Sequence, residues 1–202
     1  DKEFNGLSLF GVGKGTTIEY VQVHEGSDDG FESFGGTVDA KYLVVTNFSS
    51  EVGDDLFDWT EGWNGVGQYW YGKRTNNGNR GIEADNNANN HLAAPISNPS
   101  ISNLTLIGNN AGPENQAMKL RVGTKAQFDN VVLSNWGTGF DIQHDESVGY
   151  VANNQLRATN VKFENVTLTS KGTTTAGETV DVSAVYTVNE SATGAGNGTA
   201  KP

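Results

Sequence analysis

One short segment recurs five times along the chain, each time with the same design. A copy has a polar lead, a large apolar residue, usually a charged residue, and often a second apolar residue. The apolar residues lie roughly 22–36 positions apart, a spacing at which internal repeats form stacked supersecondary units. Stacking predicts that the charged positions form one column on one face. The copies span residues 28–34, 54–59, 80–85, 117–121 and 138–145, and their charged positions are Glu32, Asp58, Glu83, Lys119 and Asp141.

A second repeat alternates with the first and has the inward–outward alternation of half-buried strands. Three of its copies carry asparagine at the third position, at Asn103, Asn130 and Asn165. Asparagine tolerates left-handed backbone and stacked amides bond to one another, so the pattern predicts a bend that repeats on each layer. The copies span residues 18–23, 40–45, 66–71, 101–106, 128–133 and 163–168.

Two strand types that alternate at a constant phase favour a solenoid over a sandwich, with each coil rising by one strand spacing, about 4.8 Å. On these repeats, residues 6–170 resemble right-handed parallel β-helix proteins of the pectin-lyase-like type. Segments 15–23 and 54–63 are also similar to those of uncharacterised, secreted bacterial β-helix proteins. We therefore expect an all-β, right-handed parallel β-helix of about five or six coils.

Composition divides the chain into three parts. Residues 1–171 carry the repeats and predict the β-helix, with the longest corner insertion at 86–98. Residues 172–190 contain one further apolar alternation, 180–186, which predicts a strand that caps an open end of the solenoid. Residues 191–202 are rich in glycine, alanine and threonine, which predicts a flexible tail or linker.

Charge and cysteine content exclude several function classes. The formal net charge of -11 argues against nucleic acid as a partner, because nucleic acid is bound by Lys/Arg-rich surfaces. The chain has no cysteine, so disulfides and thiolate metal sites are excluded. No apolar run approaches the length of a membrane span. The expected partners are a polysaccharide or other copies of the chain, and the expected location is extracellular or at the cell surface.

Acidic pairs precede two of the charged positions and predict a Ca²⁺ site. Hard carboxylate oxygens on adjacent layers suit Ca²⁺, which takes six to eight oxygen ligands in flexible geometry. The alternative is that these aspartates shape turns through hydrogen bonds to their own backbone. The predicted metal ligands are Asp28, Asp29, Asp54, Asp55 and Asp58.

A glycan-binding face is the second prediction. Outward alternation leaves Trp63 and Trp70 as exposed aromatic candidates, and His144 lies on the same strand type as the charged column. The alternatives are a solvated charged surface and, for most aromatic residues, core packing. His24, His91 and His144 form no HxH or HxxxH pair, which disfavours a transition-metal site. The predicted ligand-binding residues are Glu32, Trp63, Trp70, Glu83, Asp141 and His144.

Catalysis is left open by the sequence, with a binding role preferred. The resemblance implies two enzyme classes, polygalacturonase-like hydrolases and Ca²⁺-dependent polysaccharide lyases, for which Asp58, Lys119 and Arg121 are the catalytic candidates. The hydrolase's Gly-His-Gly motif is absent and its basic triplet is reversed here. We expect a secreted, calcium-associated domain that acts in glycan binding or in extracellular or surface assembly. The alternatives are a lyase or glycoside hydrolase acting on an acidic polysaccharide, and a purely structural fibre or surface-layer unit.

Overall fold

The computed structural model describes residues 4–48, 53–75, 78–112 and 114–196. Within these residues strands predominate, accompanied by one helix and one 3₁₀ turn at Ser183–Val185. No helix among them is long and apolar enough to cross a membrane. The elements are β1 Leu7–Phe10, β2 Thr17–His24, β3 Phe31–Phe34, β4 Asp39–Asn47, β5 Phe57–Thr60, β6 Val66–Arg74, β7 Ile82–Ala84, β8 Ser100–Ile107, β9 Gln116–Leu120, β10 Ala126–Gln143, α1 Asp145–Ala152, β11 Leu156–Thr173, β12 Thr179–Val180 and β13 Tyr186–Val188.

The strands wind into a parallel solenoid with three faces. Strands β1, β3, β5, β7 and β9 pair in parallel and continue onto the second halves of β10 and β11; we name this face sheet A. Strands β2, β4, β6 and β8 pair in parallel and continue onto the first halves of β10 and β11. A bend divides this second set into sheet B, before the bend, and sheet C, after it. The predicted parallel β-helix is confirmed.

One left-handed residue on each layer makes that bend. Tyr20, Tyr42 and Tyr69 occupy it on the first three layers, with φ of 57–58°. Their rings stack, with centroids 4.6 Å and 5.1 Å apart. Asparagine then replaces tyrosine at Asn103, Asn130 and Asn160, where φ is 55–58°. Asn130 donates to the Asn103 side chain at 2.7 Å, which is the predicted amide ladder.

The predicted position of Asn165 in this column is wrong. Phe128 pairs with Ala158, so Asn160 is the residue that continues the bend. Asn165 instead lies at the end of sheet C, where its amide donates to Asn135 at 2.8 Å. A second left-handed bend lies at the end of sheet C, where φ is 60° at Asn135 and 52° at Asn165. Strand β11 therefore bends at both Asn160 and Asn165, and its sequence resembles the repeat at two different registers.

The left-handed bend also breaks the inward–outward alternation, and for this reason the predicted exposure of Trp70 is wrong. Tyr69 at the bend points outward and is 38 % exposed, so the next residue, Trp70, points into the coil and is fully buried. Trp63, also predicted to be exposed, is fully buried and stacks on Trp70 at 6.0 Å. Their indole N–H groups donate to the carbonyls of Val38 and Ala40. Burial of these rings is stable because each polar N–H has a partner.

The C-terminal segment covers the last coil in several short pieces. β12 pairs antiparallel with β11, the 3₁₀ turn follows, and β13 pairs in parallel with β11. Because the 3₁₀ turn interrupts the segment, residues 180–186 do not form the single strand that was predicted. Val182 and Val185 are buried in this segment. Residues 191–196, placed in the predicted flexible tail, lie against sheet C, and 197–202 are outside the described residues.

Replacing Asn130 with alanine is expected to destabilise the fold by about 1–3 kcal/mol, because alanine disfavours the left-handed conformation at this position and cannot make the side-chain hydrogen bonds of Asn130. Asn130 bonds to Asn103, Thr193 and Gly194. Urea unfolding measures the change. Gln127→Ala on the same strand is the control and is expected to change stability by less than about 0.5 kcal/mol. Equal effects of the two substitutions would contradict the role given to the bend.

Candidate functional site

The outward residues of sheet A form a charged surface. The strand register places the five predicted residues in a single column: Glu32 beside Asp58, Asp58 beside Glu83, Glu83 beside Lys119, and Lys119 beside Asp141. Lys171 extends the column by one layer. Neighbouring strands lie about 4.8 Å apart, so each charge has a charged neighbour at close range. The column itself was predictable from the repeat alone.

The charges of this column are not solvated as an exposed surface would be. Asp141 is 1 % exposed and Lys119 is 9 % exposed. Asp141 accepts a hydrogen bond from Gln143 at 3.0 Å, while its Oδ1 atom is buried without a hydrogen-bond partner. Burial raises the pKa of Asp141. The sheet is therefore a partly dehydrated site in which electrostatic interactions are stronger than at an open surface.

Five aspartates gather at the edge of sheet A, and we name them the acidic cluster: Asp28, Asp29, Asp54, Asp55 and Asp58. Carboxylate oxygens of Asp29, Asp55 and Asp58 lie within 4.8 Å of one another, and those of Asp28, Asp29 and Asp54 do the same. Asp29 and Asp55 are 7 % and 2 % exposed. The aspartates predicted to be metal ligands are thus brought together in space.

Three of these aspartates accept hydrogen bonds from the next layer, which differ from the bonds to their own backbone that the alternative interpretation expected. Asp29 Oδ1 accepts the backbone N–H of Asp55 at 2.9 Å, one layer away. Asp55 accepts the backbone N–H of Arg80, and Asp54 accepts the side chain of Asn79. Each of these bonds ties one coil to the next. Asp58 differs, because within the described part of the chain no residue donates a hydrogen bond to it.

Burial and mutual repulsion raise the pKa values of three members of the cluster, Asp29, Asp55 and Asp58. Burial, followed by the charge of Asp55, raises the pKa of Asp29 to about 8. Burial and the charge of Glu83 raise the pKa of Asp55 to about 7, although Arg80 opposes the rise. Burial and the charges of Asp29 and Asp55 raise the pKa of Asp58 well above its ordinary value. At neutral pH this cluster requires bound protons or a bound cation.

Basic side chains occupy the other half of the face and are already paired. Arg80 lies 2.7 Å from both Glu83 and Glu114 and 3.5 Å from Asp55. Arg121 bonds to Glu83 and, at 2.9 Å, to Asp85. Lys119 lies 4.0 Å from Glu114. Lys119 and Arg121, two of the catalytic candidates, are therefore already engaged by carboxylates.

Two of the three histidines, His91 and His144, form a small cluster beside this basic half. His91 Nδ1 lies 2.9 Å from Glu146, and its ring meets that of His144 edge-on at 4.9 Å. His144 Nδ1 accepts the backbone N–H of Val122 at 3.1 Å, so neutral His144 carries its proton on Nε2. Burial and the charge of His91 lower the pKa of His144. The Nδ1 lone pair of His144 is therefore already used, and its Nε2 offers an N–H donor.

The fold and the charged face can be compared with those of known protein families. The chain matches the model of the pectate-lyase-like β-helix domain family over residues 1–202. It belongs to that family. No curated protein and no solved structure matches the chain significantly. The family supports a broad glycan-related or enzyme-like role for this pectate-lyase-like domain.

Several residues of the site were missed by sequence reasoning. Arg80 aligns with Asp29 and Asp55 in the repeat, and this alignment was a usable signal. Glu114, His91 and Glu146 come from loops and from α1, where no repeat exists to place them. Trp63 and Trp70, counted among the ligand-binding residues, belong to the core instead.

Stability is expected to fall as the pH rises. Asp29 has a folded-state pKa of about 8 and an ordinary pKa of 3.8, so the folded chain retains a proton that the unfolded chain releases. Its contribution is therefore fully present below about pH 4 and lost by about pH 8. Melting temperatures in EDTA between pH 5 and pH 8.5 measure this loss.

Asp29→Asn is the test variant for that pH dependence, since asparagine keeps the acceptor for the Asp55 N–H and has no charge. The fall in melting temperature is expected to become shallower in this variant. Glu178→Gln, at an exposed site near β12, is expected to leave the fall unchanged. Identical pH profiles for wild type and Asp29→Asn would contradict the raised pKa of Asp29.

Replacing Arg80 with methionine is expected to cost about 3–5 kcal/mol at pH 7, because buried carboxylates lose their neutralising partner. Arg80 is 8 % exposed and pairs with three acids. Denaturant unfolding measures the loss. Arg157→Met, on the first half of β11, is the control, and similar losses in both variants would exclude a specific role for Arg80.

Proposed function

We propose that this pectate-lyase-like domain binds an acidic glycan through Ca²⁺ held by the acidic cluster, outside the cell or at the cell surface. The observation that carries the proposal is the environment of the Asp58 carboxylate. Its carboxylate lies within 4.8 Å of oxygens of Asp29 and Asp55, and among the described residues none donates a hydrogen bond to it. A bound cation supplies what this carboxylate lacks.

The spacing of the oxygens suits one shared cation. Ca²⁺ binds oxygens at 2.3–2.6 Å, so two oxygens on one ion lie at most about 4.6–5.2 Å apart. The oxygens of Asp29, Asp55 and Asp58 lie within 4.8 Å of one another, so none is too far from the others to share one ion. A cation would also offset the repulsion that raises the pKa values of Asp29, Asp55 and Asp58. These residues therefore fit a Ca²⁺ site by both geometry and charge.

The surface beside the cluster suits a sugar. Phe34 follows Glu32 on the same outward face and stacks on Phe10 at 4.5 Å, with an interplanar angle of 9°. Phe10 is 70 % exposed. An exposed aromatic face packs against the apolar C–H face of a sugar ring, while the sugar carboxylate completes the coordination of the cation. Phe10 and Phe34 replace Trp63 and Trp70 as the aromatic part of the site.

A catalytic role is the second candidate, and the raised carboxyl pKa values favour it. Asp55, with a pKa of about 7, has the value that suits an acid or base at neutral pH. The separation argues against inverting hydrolysis, because that reaction requires carboxyls about 6.5–9.5 Å apart. The oxygens of Asp29, Asp55 and Asp58 lie within 4.8 Å. Binding is therefore the better supported function, with a lyase or hydrolase on an acidic polysaccharide as the alternative.

Calcium is expected to raise the melting temperature at pH 8, and EDTA to reverse the increase. A free Ca²⁺ concentration about 100 times Kd stabilises the folded state by about 2.7 kcal/mol. Asp58→Asn is expected to remove most of this gain and to increase stability in EDTA. Glu178→Gln is expected to keep the calcium response. An unchanged melting temperature in millimolar Ca²⁺ would exclude the calcium site.

Polygalacturonate is a suitable acidic probe for the glycan. Calorimetric titration in Ca²⁺ is expected to show binding that is lost in EDTA and in Asp58→Asn. The same mixtures are assayed for reducing ends and unsaturated sugars. Turnover that Asp58→Asn abolishes would replace the binding function with the enzymatic one, and neither binding nor turnover across a panel of acidic polysaccharides would reject both.

A further inference from the structure

A second concave surface lies on a different face from the acidic cluster, on the outside of sheet C. The groove has a volume of about 630 Å³, within the range of roughly 300–1,000 Å³ usual for small-molecule sites. Its floor spans four layers, from β6 to β11, which is about 14 Å along the solenoid axis. The floor residues are Tyr71, Thr105, Ile107, Val132, Ser134, Lys162 and Glu164.

The C-terminal segment makes one wall of this groove, and specific hydrogen bonds hold it in place. The backbone N–H groups of Thr193 and Gly194 donate to Asn130 Oδ1 at 2.9 Å and 3.1 Å. The N–H of Ala195 donates to Thr105 Oγ1 at 2.9 Å. Asn130 is thus both the bend residue of its layer and the anchor of the wall.

Glycine is required where the wall approaches the floor. Gly194 has a φ of +56°, and a Cβ atom there would lie 2.3 Å from Thr105 Oγ1. Any side chain would push the segment away from sheet C. Ala192 and Ala195 flank this position and are each 9 % exposed. The small residues at positions 192, 194 and 195 let the segment pack closely against sheet C. The position of the wall therefore depends on these specific residues.

The chemistry of the lining indicates a neutral, amphipathic ligand. The charged lining residues are Lys162 and Glu164, which pair with each other at 2.6 Å. The net charge they bring to the groove is therefore zero, although the whole chain carries -11. The lining combines the hydroxyl-bearing residues Tyr71 and Ser134 with the apolar residues Ile107 and Val132. A sugar has the matching combination of hydroxyl groups and apolar C–H faces.

We propose that the groove between sheet C and residues 192–196 binds a neutral oligosaccharide. Tyr71 packs against a sugar ring, and Ser134 with the Lys162–Glu164 pair bonds its hydroxyl groups. This site is separate from the acidic cluster in position and in chemistry. It requires no cation, so its occupancy is independent of the calcium-dependent function proposed above.

Calorimetric titration in EDTA tests the groove, because EDTA removes the cation from sheet A. The probes are neutral cello-, xylo- and manno-oligosaccharides. At least one is expected to bind, and Tyr71→Ala is expected to weaken it by about tenfold, since loss of an aromatic stacking partner costs about 1.4 kcal/mol. Tyr20→Ala, at an exposed tyrosine outside the groove, is expected to leave the affinity unchanged.

A second variant, which fills the groove with a bulky side chain, tests the proposal if Tyr71→Ala fails to fold. Ser134→Trp places a bulky ring on an outward position of β10 and is expected to abolish binding, with circular dichroism reporting the retained β structure. Binding that survives both Tyr71→Ala and Ser134→Trp would place the sugar elsewhere and overturn the proposal. Absence of binding by every neutral probe would overturn it as well, whereas loss of binding in Asp58→Asn alone would assign the sugar to sheet A.

Discussion

In-register parallel stacking is the constraint on which the rest of this structure depends. Each coil lies about 4.8 Å from the next, so a residue faces its own equivalent above and below. Tyr20, Tyr42 and Tyr69 stack for this reason, and so do Asn103 and Asn130. For rings and amides the repetition is favourable, because each gains a partner that matches its own geometry.

For carboxylates the same repetition is unfavourable, because it places like charges side by side. The two halves of sheet A differ in how far basic side chains neutralise these charges. Near β7 and β9, arginine and lysine alternate with the acids, and Arg80 and Arg121 neutralise Glu83 and Asp85. Near β3 and β5, Arg80 pairs with Asp55 at 3.5 Å, yet the pKa values of Asp29, Asp55 and Asp58 are raised. A cluster of partly buried carboxylates is a costly arrangement for stability, because each charge loses hydration and repels its neighbours.

Local periodicity predicted the parts of the fold that repeat. The parallel solenoid and the charged column both follow from alternation at a constant phase. Prediction failed where the phase changes. The left-handed residue at Tyr69 inverts the alternation, so Trp70 enters the core, and the two bends of β11 shift Asn165 out of the column. Inward–outward alternation predicts which residues share a face only within a straight strand segment, because a left-handed bend shifts its phase.

The sequence by itself determined the repeat, the position of the acidic residues on adjacent layers and the family of the fold, because these depend on local patterns and on the strand spacing. Only the tertiary structure decided which charges are neutralised and which are not. Glu114, His91 and Glu146 reach the site from irregular segments, and residues 192–196 fold back onto sheet C. Such contacts join positions that share no periodicity, and they arise only when the chain closes on itself in three dimensions.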